Sequence, residues 1–225
     1  DAAIESYARY YTIAWPEEER EACRPLRRSP LHATLAGNGA VYGQKFGFER
    51  PNYFLANGKA PSIETFERSV LAPVVGREHK AVREAAVIFD QTSFAKFVLK
   101  GRDAEAALSW IASNDVARPV GSLIYTQMLN DKGGIECDVT VARIAENEYY
   151  IVTGTGFATH DFDWIARNIP AAMHAELVDV TSAYSVLSLM GPNSRAVLEK
   201  VTGSDVSNAA FPFGKVRTIG ISGCP

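Results

Sequence analysis

The clearest pattern in the chain is a pair of apolar runs separated by a short polar turn. The runs cover residues 123–129 and 135–144, and the turn is Asn-Asp-Lys-Gly-Gly at residues 130–134. Glycine accepts the positive φ values of tight turns, so this pattern predicts a β-hairpin. One acid, Asp138, falls inside the second run, although aspartate is depleted in strands. We therefore expect Asp138 to have either a structural partner or a chemical task.

The turn sets which residues of the two strands face each other. With a two-residue loop at Asp131 and Lys132, Tyr125 lies opposite Asp138, with about 5 Å between their Cβ atoms. A bulge at Gly133 shifts the register by one residue and makes the contact diagonal. In both cases a phenol and a carboxylate line one surface. Such a surface suits a flat heterocycle that carries N–H donors.

The other periodic segments predict a mixture of helices and strands. A short helix is expected over residues 31–36. Further helices are expected over residues 62–70, 76–89 and 104–112, through Trp164 to Asn168, and after Pro192. Strands are expected over residues 96–100, 147–153, 176–180 and 184–190. Asp103 is predicted to cap the helix that follows it, and Asp90 to bind nearby backbone amides. Because strict βαβ alternation is missing, the sequence predicts an α+β fold with antiparallel hairpins.

An aromatic and glycine-rich segment, residues 40–54, has three possible interpretations. It could be a loop that covers the core, an aromatic docking surface for another domain, or the wall of a ligand pocket. The polar residues that follow it, 57–62, contain glycine and proline and indicate a domain boundary.

Composition and charge exclude several function classes. The net charge is −3 over 225 residues, so the basic surface of a nucleic-acid-binding protein is not expected. No apolar run approaches the roughly 20 residues of a membrane span. The three cysteines, Cys23, Cys137 and Cys224, are widely spaced, which predicts neither a disulfide framework nor a metal cluster and favours a reducing compartment.

Three further motifs point more weakly to chemistry. Gly154-Thr-Gly-Phe-Ala-Thr159 departs from a dinucleotide-binding loop because Thr159 replaces the third small residue, although its amides could still cradle part of a ligand. The four histidines lack metal-ligand spacing, so no metal site is predicted. His160 and Asp161 are interpreted as surface or helix-start residues. Cys137 is interpreted as a packed thiol rather than a nucleophile, since its strand neighbours are apolar.

Several motifs together resemble the dimethylglycine and sarcosine dehydrogenase family. Phe48-Glu-Arg-Pro-Asn-Tyr-Phe54, the Gly39–Lys45 segment before it and residues 24–31 are similar to one passage of these enzymes. From about Phe66 the chain resembles the folate-binding domain that they share with the T-protein (aminomethyltransferase) of the glycine cleavage system. The similar motifs are Phe89-Asp90, Tyr125-Thr-Gln-Met-Leu-Asn130, Gly133-Gly-Ile-Glu-Cys-Asp138, Leu189-Met-Gly-Pro-Asn193 and Ile221-Ser-Gly-Cys224.

The resemblance implies a fragment of a large flavoprotein. Residues 1–58 would be the tail of the domain that links to an FAD-binding oxidoreductase half, and residues 62–225 a folate domain that is incomplete at its C-terminus. The FAD half would oxidise a small N-methyl amine, and tetrahydrofolate would capture the one-carbon unit as 5,10-methylenetetrahydrofolate. The domain would dock on its own FAD half, in the bacterial cytoplasm or the mitochondrial matrix, with neither nucleic acid nor membrane as a partner.

The resemblance also assigns site residues. The family's key acid falls on Asp138 and its folate-contacting tyrosine on Tyr125, while Val152 and Thr153 belong to the strand that contributes backbone contacts. Whether Asp138 acts as a base or only as a counter-charge is left open. Two alternatives remain: a stand-alone T-protein aminomethyltransferase, and a non-catalytic homologue similar to the regulatory subunit of pyruvate dehydrogenase phosphatase. Ser93-Phe94 stands where T-proteins carry His-Met, which favours the dehydrogenase branch.

Overall fold

A computed structural model describes residues 1–15, 18–56 and 66–222. In chain order its helices and strands are α1 (Ala2–Ala8), α2 (His32–Gly37), β1 (Ala40–Lys45), β2 (Phe48–Phe54), α3 (Ala72–Glu84), β3 (Val87–Asp90), β4 (Ala95–Lys100), α4 (Ala104–Ile111), β5 (Leu123–Leu129), β6 (Ile135–Ala145), β7 (Glu148–Thr153), α5 (Ala158–Asn168), β8 (Glu176–Asp179), β9 (Leu187–Met190) and α6 (Ser194–Glu199). No helix within these described residues has the length and apolar content that a membrane span requires.

The chain divides into two compact units. The first contains residues 1–93 and 185–194, and the second contains residues 94–184 and 195–225. The domain boundary that the sequence predicts at residues 58–62 falls within residues 57–65, outside the described part of the chain. The predicted domains, 1–58 and 62–225, therefore stay a prediction.

The second unit is built on a five-stranded antiparallel sheet with the strand order β5-β6-β7-β4-β8. Strand β5 reads Leu-Ile-Tyr-Thr-Gln-Met-Leu, and its even-numbered side chains are buried while its odd-numbered ones are more exposed. Successive side chains of a strand point to opposite faces, so this alternation defines an inner and an outer face of the sheet.

The inner face of the sheet forms the core with α4 and α5. Helix α4 turns Ala104, Ala107, Leu108 and Ile111 inward, at the i, i+3, i+4, i+7 spacing of an amphipathic helix. Helix α5 contributes Ile165. The sheet residues in this cluster are fully or almost fully buried, namely Ala95, Phe97, Leu99, Ile124, Met128, Cys137, Val139, Val141, Tyr149 and Ile151.

The outer face of the sheet is covered over β4 and β7 and open over β5 and β6. Lys96 is fully buried there, and its Nζ donates a hydrogen bond to the Tyr184 carbonyl oxygen at 2.8 Å. The rings of Tyr150 and Tyr184 pack edge to face, with 5.9 Å between their centroids. In contrast, Tyr125 on β5 keeps 60% of its surface exposed. The open half of this face is therefore the part of the sheet that a ligand can reach.

The first unit contains two antiparallel pairs of strands. Strands β1 and β2 pair antiparallel, so the aromatic segment 40–54 forms a hairpin rather than a loop. The hairpin borders a cavity of about 460 Å³ with a mixed-charge lining that includes Lys45, Arg50 and Glu19. Strands β3 and β9 also pair antiparallel, and Asp90 accepts a bond from the Thr92 amide at 3.1 Å, as predicted.

Three local predictions are wrong. The helix expected over residues 62–70 lies partly outside the described residues, and its described part, residues 66–70, forms bends and the start of a turn. The helix expected over residues 76–89 ends at Glu84, because the apolar Val87-Ile88-Phe89 run pairs with β9 instead. A short apolar run does not by itself distinguish helix from strand. Asp103 occupies the N-cap position just before α4, yet its carboxylate accepts a hydrogen bond from the His174 amide at 2.7 Å instead of capping the helix. That bond, followed by the effect of Arg102, lowers the pKa of Asp103.

Candidate functional site

Tyr125 and Asp138 lie on the same open face of the β5–β6 hairpin, but they are not directly opposite each other. Tyr125 pairs with Thr140, and Asp138 pairs with Gln127. The predicted register is therefore wrong by two residues. Two residues are one full period of a strand, so both side chains stay on one face as diagonal neighbours. The prediction that a phenol and a carboxylate share a surface is confirmed.

The side chains of this surface are joined by hydrogen bonds to the Asp138 carboxylate. A hydrogen bond to Asp138 is the main cause that raises the pKa of the Tyr125 hydroxyl above its usual value, with desolvation second. The Gln127 amide nitrogen lies 3.4 Å from Asp138 Oδ1. Both groups are donors, so they help to fix the position of the carboxylate. Asp138 itself is exposed and can accept further bonds.

The strands that follow complete this surface, which we call the Tyr125 face: Tyr125, Gln127, Asp138, Thr140 and Val152. Thr140 pairs in direct register with Tyr125 on β5 and with Val152 on β7. Pairing of β6 with β7 starts at Thr140 and Val152, so Asp138 lies two residues beyond the end of that ladder.

Val152 reaches the Tyr125 face, whereas the side chain of Thr153 does not. Val152 is half-buried and lies next to Thr140. Thr153 is 3% exposed on the inner face, where its hydroxyl donates to Asp161 Oδ2 at 2.5 Å. Thr153 can therefore contact a ligand on the outer face only through its backbone, which is the kind of contact that the resemblance implies.

Sequence reasoning missed two members of this face, Gln127 and Thr140. Strand alternation could have found them, because each lies two residues from Tyr125 or Asp138 along the same strand. Their spacing carries no motif of its own, and only the assumption of a continuous hairpin places them beside the acid.

On the inner side of the same strands, Cys137 and Asp161 are both 1% exposed. The prediction that Cys137 is a packed thiol is confirmed. Burial is the first cause that raises the pKa of this thiol far above its usual value, and Asp161 adds to it. Asp161 lies in the first turn of α5, which confirms the helix-start interpretation, and its side chain is buried there.

Chemically, the Tyr125 face offers an aromatic ring, an apolar Val152 side chain and an ionised acceptor within one exposed area. An ionised carboxylate offers about four lone-pair sites, of which the Tyr125 and Gln127 donors occupy two. Further N–H donors of a bound molecule can therefore bind Asp138. The arrangement can also stabilise positive charge close to the carboxylate.

Comparison with known proteins places this chain in a family. The chain is 34% identical over 258 residues to a mitochondrial sarcosine dehydrogenase from Homo sapiens, a match that covers 97% of this chain and 28% of that protein. It is 32% identical over 226 residues to a mitochondrial dimethylglycine dehydrogenase from Mus musculus, covering 99% of this chain and 26% of that protein. The chain thus spans about a quarter of the length of these relatives, which are dehydrogenases of N-methyl amino acids.

A solved structure bears out the fold. The glycine cleavage system aminomethyltransferase T from Bartonella henselae superposes with a TM-score of 0.64 at 24% identity, over 78% of this chain and 43% of that one. The predicted α+β fold of the aminomethyltransferase type is confirmed. The family profile described as the GCVT N-terminal domain matches residues 31–225. The resemblance seen in the motifs is confirmed as well: the chain belongs to the GCVT N-terminal domain family and is related to the sarcosine and dimethylglycine dehydrogenases.

Proposed function

We propose that this chain is the tetrahydrofolate-binding, one-carbon-transfer part of a larger FAD-dependent dehydrogenase of N-methyl amines. The observation that carries the proposal is the placement of Tyr125 and Asp138 as diagonal neighbours on the open face of the sheet. These are the two positions to which the family resemblance assigns the folate-contacting tyrosine and the key acid. The named relatives, sarcosine and dimethylglycine dehydrogenases, support the reaction class.

The residues of the Tyr125 face fit a folate ring. A pterin is flat and carries N–H donors, which matches the Val152 and Tyr125 side chains and the acceptor sites that remain on Asp138. Thr153 would contribute backbone contacts. Tetrahydrofolate supplies the nitrogen nucleophiles that take up the one-carbon unit. FAD would be held by the part of the protein outside this chain, where the amine is oxidised and the substrate is selected.

The two donors around Asp138 bear on its role in the transfer. Tyr125 and Gln127 orient the carboxylate and occupy part of its acceptor capacity. Their hydrogen bonds fix its position and keep its negative charge close to the reacting atoms. A carboxylate held in one place in this way can stabilise a cationic one-carbon species as a counter-charge.

The complete protein carrying Asp138→Ala tests the proposal. We expect amine oxidation to continue at its normal rate, while the enzyme-dependent formation of 5,10-methylenetetrahydrofolate slows by about 10²-fold, since removal of one preorganised electrostatic contact typically has that effect. Free formaldehyde should accumulate instead. The product is measured after subtraction of the reaction between formaldehyde and tetrahydrofolate that occurs without enzyme.

Asp131→Ala is the matched control, because Asp131 is an exposed acid at the turn of the same hairpin. Its yield of methylenetetrahydrofolate should equal that of the wild type. An unchanged yield in Asp138→Ala alongside normal amine oxidation means that the role assigned to Asp138 is wrong. A complete protein with no flavin absorption contradicts the dehydrogenase assignment and supports a regulatory homologue.

A further inference from the structure

Directly behind Asp138, on the inner side of the sheet, three side chains of different chemistry converge. Cys137 on β6 and His160 and Asp161 on α5 each offer one ligand atom, and these atoms lie within 4.8 Å of one another. His160 Nδ1 and Asp161 Oδ1 are 2.9 Å apart. The proposed folate chemistry uses none of these side chains. The cluster therefore needs an explanation of its own.

The cluster carries an excess of negative charge in a buried place. Asp161 is 1% exposed, and its bonding partners are the Thr153 hydroxyl, the His160 imidazole and the Cys137 thiol. A second carboxylate, Glu136, lies 3.4 Å from His160 Nε2. Two carboxylates thus flank one imidazole. A buried carboxylate is costly unless it is paired, and the cationic partner in this cluster is the half-exposed His160 imidazole, which two carboxylates share, so a bound cation would stabilise this arrangement.

The types of ligand atom in the cluster indicate which cation it would bind. A thiolate, an imidazole nitrogen and a carboxylate oxygen together are typical of Zn²⁺, which binds sulfur at about 2.3 Å and nitrogen or oxygen at about 2.0–2.2 Å. Tetrahedral ligands are then roughly 3.5 Å apart. The cluster spans up to 4.8 Å, so it must contract by about 1 Å. The His160 side chain is 50% exposed, which leaves it free to move and gives the ion a path to the site.

A separate observation supports a metal: the outer contacts of the cluster are those of a metal site. A histidine that binds metal usually donates its other ring N–H to a carboxylate. If His160 binds through Nδ1, its Nε2 faces Glu136 at 3.4 Å, as this rule requires. The carboxylate ligand Asp161 is oriented in turn by the Thr153 hydroxyl. Glu136 is itself held by the side-chain amide of Asn130 at 2.8 Å.

We propose that Cys137, His160 and Asp161 form a Zn²⁺ site that ties strand β6 to helix α5, with the fourth position open to solvent. On binding, the Cys137 S–H bond breaks, its proton leaves to solvent, and a Zn–S bond takes its place. Any proton on His160 Nδ1 leaves in the same way. Because Asp138 follows Cys137 directly, the metal would also fix the strand that carries the Tyr125 face.

The test is a Co²⁺ titration of the chain in a thiol-free buffer, since Co²⁺ replaces Zn²⁺ and gives a near-ultraviolet charge-transfer band when bound to a thiolate. The background protein carries Cys23→Ser and Cys224→Ser, so Cys137 is its single thiol. We expect a 1:1 complex with this band, which Zn²⁺ abolishes on addition. Adding Cys137→Ser should remove the band.

Two milder variants keep the result independent of folding defects. His160→Gln changes a half-exposed side chain and should weaken Co²⁺ binding at least tenfold, while Glu136→Gln should weaken it by about 10- to 100-fold. Circular dichroism confirms that each variant is folded. A folded background protein that gives no thiolate band overturns the proposal. A band whose affinity is unchanged in His160→Gln also overturns it.

Discussion

The Tyr125 hydroxyl has a role that a phenyl ring cannot fill. It donates to the Asp138 carboxylate and so helps to hold that carboxylate in place for a ligand. In Tyr125→Phe we therefore expect the Kd for tetrahydrofolate to rise by about tenfold. Titration calorimetry measures this change directly. Tyr11→Phe is the control, because Tyr11 is 85% exposed and lies in the first unit. Equal affinity in Tyr125→Phe and Tyr11→Phe would mean that this hydroxyl does not support folate binding.

Tyr150 gives a prediction about pH that depends on the fold alone. Burial, followed by the neighbouring Tyr184, raises the pKa of Tyr150 to about 12, against about 10 in an unfolded chain. Between these values the folded state holds a proton that the unfolded state has lost. Folding stability from this residue is therefore complete below pH 10 and is lost as the pH rises towards 12.

The variant Tyr150→Phe removes this linkage. We expect its free energy of unfolding to fall less steeply than that of the wild type as the pH rises above 10. Urea unfolding at a series of pH values from 8 to 11 gives the two slopes. In Tyr7→Phe the slope should match the wild type, since Tyr7 is 79% exposed. If Tyr150→Phe and the wild type have the same slope, Tyr150 is not buried as described.

At the scale of the element, the alternation of buried and exposed side chains along β5 predicts which substitutions lower the free energy of unfolding. Met128 is fully buried while its neighbour Leu129 is 42% exposed. Met128→Ala should lower the free energy of unfolding by about 2–5 kcal/mol, because it leaves a cavity in the core. Leu129→Ala should cost well under half as much. Urea denaturation of the two variants measures both losses of free energy. Similar losses would mean that β5 does not have the orientation described above.

The register of this hairpin shows where sequence reasoning stops. The apolar pattern correctly predicts both strands and the face that carries Tyr125 and Asp138. The observed strand pairing differs from the predicted pairing by two residues, and this offset arises in two steps. The loop has three residues, with Gly133 at φ 79° and Asn130 bonded to Gly134, and a bulge follows between Met128 and Leu129. The first step was foreseeable from Gly133, while the second depends on packing of neighbouring apolar residues.

The end of helix α3 shows a second limit of prediction from sequence. The sequence extends a helical pattern to Phe89, but residues 87–90 become a strand because β9, about 100 residues later, offers a pairing partner. A local pattern contains no information on that partner. Helix α4 was predicted closely, because its inward residues follow one unambiguous helical period within a single short segment.

At the scale of the whole molecule, the two clusters around β6 differ in how far the sequence predicts them. Tyr125 and Asp138 could be placed together because one short turn connects their strands. Cys137 lies 23 residues from His160, and their approach depends on α5 packing against β6 after β7 has intervened. Ligand spacing along the chain therefore gave no sign of the cluster, and only the sheet topology brings these groups together.

The last prediction concerns which part of the molecule responds to a ligand. Every member of the Tyr125 face belongs to the second unit, so bound tetrahydrofolate should stabilise that unit. At 100 times the Kd, the stabilisation is about 2.7 kcal/mol. Hydrogen exchange should therefore slow about 100-fold in peptides of β5, β6 and β7 whose amides exchange by unfolding of the unit. Peptides of the β1–β2 hairpin should exchange at the same rate with and without the ligand, and in Asp138→Ala the protection of β5–β7 should largely disappear. Protection of β1–β2 equal to that of β5–β7 would place the ligand elsewhere, because mass action stabilises only the unit whose folded state binds it.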